Sequence, residues 1–74
     1  MSFGERLVIM RKIRKVSQKQ LAAQLGVNYN VIWYMEDKGM REPALEVRMR
    51  EALKWGEIED RALDILMGTE GQAA

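Results

Sequence analysis

Within the six residues Tyr29 to Tyr34 the chain sets three large aromatic rings, Tyr29, Trp33 and Tyr34, around one carboxamide, Asn30. A carboxamide can pair through two hydrogen bonds with the N6/N7 edge of adenine, and an aromatic face can rest on a thymine methyl group. A phenol hydroxyl can bond a phosphate or a base edge. Lys19, Lys38 and Arg41 flank this stretch and supply the cations that a phosphate backbone attracts. Arg14 and Lys15 either add long-range attraction or are ordinary solvated charges. Catalytic chemistry finds little to work with. The chain has no Cys and no His, which removes disulfides, thiolate metal sites and the commonest general base. A Gly-rich phosphate loop and a pocket with paired carboxylates are also missing, so neither an enzyme, a cofactor nor a metal is expected. Glu57, Glu59 and Asp60 cluster, but they suit the acidic first turn of a helix, where the dipole favours them.

The elements that must carry these side chains read as helices throughout. A first helix is expected from about Gly4 to Lys15, with Phe3, Leu7 and Met10 inward and Ile9, Ile13 and Val16 widening the apolar surface. Ser17 suits the N-cap of a short second helix, Gln18 to Leu25, which buries Leu21, Ala22 and Leu25. Gly26 fits a left-handed turn, Val27 an apolar pin, and Asn28 the cap of a third helix, Tyr29 to about Asp37. Ile32 and Met35 face inward there, leaving Tyr29, Asn30, Trp33 and Tyr34 outside. Trp33 has two readings: it packs on a sugar-phosphate wall, or it roofs the core beside Met40. After the loop 38–42, Pro43 opens a fourth helix with Leu45, Met49, Ala52 and Leu53 as its core positions. A fifth helix, about 58–67, shows Ile58, Ala62, Ile65 and Leu66 on one side, with Leu63 and Met67 broadening the stripe.

Two short capped helices joined by Gly-apolar-cap describe a helix-turn-helix, placed at about 17–37. The run Gly4-Glu5-Arg6-Leu7 through Met10-Arg11-Lys12, then Val16-Ser17-Gln18, Leu21-Ala22, Met35-Glu36, Gly39 and Pro43 resembles the Cro/CI-like (XRE) helix-turn-helix family over about residues 4–53. The resemblance is nearest to small phage-repressor-like regulators. It implies an all-α, compact five-helix, lambda-repressor-like domain over residues 1–67, and it maps base-reading positions onto Asn28, Tyr29, Asn30, Trp33 and Tyr34. It also places Gln18 at a phosphate or beside a base-reading side chain, and pairs Arg11 with Glu36 as a structural ion pair. Lys15 departs from the Gly that often ends the first helix in the family, the loop before Pro43 is one residue longer, and the fourth helix is shorter.

Seventy-four residues allow one domain, and a chain this short gains from oligomerisation. The fifth helix carries more apolar residues than one stripe needs. Trp55, Leu63, Leu66 and Met67 are therefore expected at a homodimer interface; the bland reading has the helix wrap the core of a monomer. Net charge is +1, but residues 1–41 carry +5 and residues 42–74 carry −4, which suggests a basic face apart from an acidic segment. The function expected is sequence-specific binding of double-stranded DNA by a repressor on a palindromic operator. The competing reading is a protein-interaction module, antitoxin-like or antirepressor, using the aromatic face and the acidic half. No small-molecule ligand is expected. No apolar run approaches a membrane span and no basic-then-apolar leader opens the chain, so a cytoplasmic protein is expected. The stretch 68–74 is expected to be disordered.

Overall fold

Short polar side chains start the first three helices by satisfying backbone N–H groups that the helix itself leaves free. The computed structural model describes residues 1–66; Met67 and the stretch 68–74, with the expectations attached to them, lie outside those residues. Among the described residues there are five α-helices: α1 Phe3–Arg14, α2 Gln18–Leu25, α3 Tyr29–Asp37, α4 Pro43–Ala52 and α5 Glu57–Leu66. None is long and apolar enough to cross a membrane. Ser2 caps α1: its hydroxyl accepts from Glu5 N at 3.2 Å, while the Glu5 carboxylate accepts from Ser2 N at 3.2 Å. Ser17 and Gln20 repeat this reciprocal box at α2, at 3.0 and 2.8 Å. Asn28 caps α3 by accepting from Asn30 N at 2.9 Å.

Helix ends follow the same logic. Gly26 turns left-handed, with φ of 71°, to close α2, and Val27 N then reaches Ala22 O at 3.0 Å. Lys15 closes α1 in the same left-handed conformation, φ 57°, although its Cβ makes that conformation costly. Helix α4 begins differently. Pro43 occupies its first turn and Glu42 provides no side-chain cap; instead Glu46 folds back and accepts from Glu42 N at 2.9 Å. Arg41 binds the same carboxylate through Nε and Nη2 at 2.9 and 2.7 Å. Arg41's hydrogen bonds and the Glu42 backbone bond outweigh partial burial and hold the Glu46 carboxyl below the ordinary carboxylate range.

The inward stripes of α1 to α4 converge on one core in which Leu7, Met10, Leu21, Ile32, Met35, Met49 and Leu53 are fully buried. Ala52, expected among these, is exposed. At Gly4, α1 packs directly on the backbone of α3: a Cβ there would lie 2.5 Å from Met35 O and 2.9 Å from Glu36 O. No side chain fits between these backbones.

Helix α5 docks by the face opposite to the one its apolar stripe suggests. Leu63 is buried, whereas Ile58, Ile65 and Leu66 are exposed at 81%, 62% and 74%, and Ala62 is exposed with them. Trp55, in the turn before it, is 2% exposed and stacks on Phe3 with ring centroids 5.0 Å apart. Trp55 and Leu63 thus belong to the core and are closed to a second copy. The cause is polar. Asp60, Leu63 and Asp64 share one face of α5 by their i, i+3, i+4 spacing. Arg6 of α1 donates to the Asp60 carbonyl and carboxylate, both at 3.1 Å, and to the Asp64 carboxylate. Trp55 Nε1 and Arg50 Nη1 each reach Asp60 at 2.9 Å. Burial pushes the Asp60 carboxyl up, but the bonds from Trp55 and Arg50 and the charges of Arg50 and Arg6 outweigh it and leave it lowered.

Candidate nucleic-acid interface

On α3 the side chains not claimed by the core fall on one arc. At about 100° per residue, Tyr29, Trp33, Asn30 and Tyr34 span about 140° of the helix surface, opposite the buried Ile32 and Met35. Tyr29, Trp33 and Tyr34 are 45%, 38% and 48% exposed. Trp33 stands edge-on to Tyr34 at 5.0 Å, and the core cluster closes without it, so it is a surface ring. Asn30 is exposed, and its backbone makes the bond to Asn28. The Asn28 oxygen is engaged as the cap, which leaves its amide hydrogens as the outward donors. Asp37, which the sequence reading left unassigned, falls on the same arc near the C-terminal end of α3, with Lys38 Nζ 3.6 Å from its carboxylate.

Two of the expected cations border this arc. Lys19 Nζ, on α2, lies 5.5 Å from the Tyr29 ring centroid, and Lys38 Nζ lies 5.7 Å from that of Trp33. Both ammonium groups stand over ring faces. Arg41 is engaged elsewhere: it forks onto Glu46 and stands 4.9 Å from the Phe3 ring. Arg14 is likewise used in the fold, since it donates to Leu53 O at 2.8 Å and Lys54 O at 3.0 Å, at the end of α4.

Behind the arc, α3 is held at two points. Arg11 meets Glu36 through Nε at 2.5 Å and Nη2 at 2.9 Å, with side-chain exposures of 12% and 6%. Arg11 also donates to Val16 O at 3.1 Å, and Gln18 Nε2 donates to Glu36 Oε1 at 3.0 Å. One carboxylate therefore ties α1, α2 and α3 together. Gln18, expected at a phosphate or beside a base-reading side chain, has its amide nitrogen directed to this pair, and its free oxygen can only accept, which suits a donor and not a phosphate. The second point is the contact of Gly4 with the carbonyls of Met35 and Glu36. The sequence reading assigned no role to this contact or to Arg48, which donates to Leu25 O at 2.7 Å and so closes α2. A glycine in the first turn of α1, next to the inward Phe3, was the available signal for the first.

Together these features give a short helix with a polar-aromatic outer face, fixed from behind and bordered by two lysines. No family model matches the chain, and neither a curated protein nor a solved structure matches it.

Proposed function

We propose that the protein binds double-stranded DNA sequence-specifically and represses transcription, with α2 and α3 acting as a helix-turn-helix whose second helix enters the major groove. The observation that carries this reading is the exposed arc of Tyr29, Asn30, Trp33 and Tyr34 on a helix clamped by Glu36 and Gly4. A helix that must present side chains to base edges cannot rock on its support. The resemblance of residues 4–53 to Cro/CI-like regulators points the same way, and a DNA-binding regulator of this kind works in the cytoplasm of a prokaryotic or phage-infected cell.

Two recognition helices about 34 Å apart on a pseudo-palindrome give such domains useful affinity. The homodimer face moves from Trp55 and Leu63 to the outer side of α5, where Ile58, Ala62, Ile65 and Leu66 are exposed together. The small Ala62 at the centre of this stripe lets a second α5 approach closely. That same apolar face is what favours the second reading, a module that binds another protein.

Selection of duplexes from a random library, followed by footprinting, tests the first reading. Asn30→Ala is expected to weaken the selected site roughly ten- to hundredfold, as loss of one bidentate base contact does. Salt-insensitive binding to a protein, with no preferred duplex, would replace the DNA reading by the second.

A further inference from the structure

Resting on the duplex-binding reading above, we infer that the half-site under α3 is an A·T-rich step read through the C5-methyl groups of thymine by Trp33 and Tyr29, with Asn30 reading an adjacent adenine. The reasoning is one of matching inventories. On the floor of the major groove guanine offers two acceptors, best met by Arg or Lys; cytosine offers a donor, met by a carboxylate. Adenine offers an acceptor beside a donor, the complement of a carboxamide, and thymine alone offers an apolar group. From Asn28 to Asp37 the chain has no Arg and no Lys, so α3 lacks the cationic side chains that match guanine best.

The cations nearby do not fill that gap. Lys19 lies on α2 and Lys38 beyond the end of α3, each over an aromatic face, and Arg41 is forked onto Glu46. What α3 does present is ring surface, 38% to 48% exposed on three side chains. Apolar surface gains on leaving water only where it meets apolar surface, and in the groove that means a methyl group. Asp37 is the one residue suited to cytosine. It sits two turns after Asn30, its charge is already matched by Lys38, and recognition helices approach bases with their N-terminal residues.

The test separates this inference from the reading it rests on. Each thymine of the selected half-site is replaced in turn by uracil, which removes the methyl and leaves pairing unchanged. Wild-type protein is expected to lose roughly three- to fivefold in affinity at one or two positions per half-site, the factor of one buried methyl. Trp33→Ala should erase the thymine/uracil difference at one of these positions, while Asn30→Ala leaves it and relaxes the adenine preference instead. Specific, salt-dependent binding to a G·C half-site, or equal affinity for thymine and uracil at every position, overturns the methyl reading and leaves DNA binding standing. The absence of any preferred duplex overturns both.

Discussion

A carboxylate with 6% of its side chain exposed needs donors in place of the lost water, and Glu36 has three: Arg11 Nε, Arg11 Nη2 and Gln18 Nε2. Removing Arg11 strips two of them and leaves a charge under α3. Arg11→Ala is expected to cost about 3–5 kcal/mol, read as a lowered melting temperature; a melt matching wild type would exclude a stabilising pair. Gly4→Ala tests the other support. Its Cβ would meet backbone oxygens, which cannot swing aside as a side chain can, so the expected loss is about 1–3 kcal/mol, seen in denaturant midpoint. Lys15→Gly should have the opposite sign. It relieves the left-handed strain at φ 57° and adds freedom to the unfolded chain, for a net gain of about 0.5–1 kcal/mol and a higher melting temperature. The sequence announced these three residues unequally. The resemblance pairs Arg11 with Glu36, and it marks Lys15 as replacing a glycine. The role of Gly4 depends on a distance between two helices that no local pattern encodes.

Helices α1 to α4 each have one apolar stripe, and apart from Ala52 and Ile13, both exposed, that stripe faces the core. In α5 the apolar stripe of Ile58, Ala62, Ile65 and Leu66 is what periodicity would turn inward, yet the helix docks by the face that carries Leu63 between Asp60 and Asp64. The choice falls to Arg6, whose guanidinium binds Asp60 and Asp64 and thereby draws Leu63, not Ile58 and Ile65, against α1. Because this attachment is polar, it responds to acid. The carboxyls of Asp60, Glu46 and Glu5 all lie below their ordinary values. A depressed carboxyl takes up its proton less readily folded than unfolded, so its stabilisation is complete above the ordinary carboxylate range, about pH 4–5, and is lost as pH falls through the lowered values. The melting temperature is expected to hold level from about pH 6 to pH 8 with respect to these groups and to fall in acid. Asp60→Asn should lower it at neutral pH and flatten the acid loss. Hydrogen exchange should then show α5 opening before α1 to α4.

Across the whole molecule, the surplus of +5 in residues 1–41 is less available to a partner than its size suggests. Arg6, Arg11, Arg14 and Arg41 are all bonded within the fold and Lys38 stands beside Asp37, so of the cations in residues 1–41 the exposed Lys12, Lys15 and Lys19 are the ones left to meet phosphates. The salt dependence of the proposed DNA binding should accordingly be shallow, and Lys19→Ala should reduce the slope of log K against log salt by about 0.9 per protomer. The acidic half carries the proposed two-fold face. Ile58→Glu with Ile65→Glu is expected to give a monomer in sedimentation at micromolar concentration with helix content unchanged, since both side chains are exposed at 81% and 62%. A species unchanged in mass would place the interface elsewhere.

The polar clamp between Arg6 and Asp60 has one more effect in the proposed DNA-binding dimer joined through α5. It is then the hinge across which the two reading heads are spaced, and its stiffness decides how strictly the separation of half-sites is enforced. A protein with the clamp intact should tolerate a single operator spacing. One carrying Asp60→Asn should accept an inserted or deleted base pair with a smaller penalty, turning a fixed calliper into a loose one.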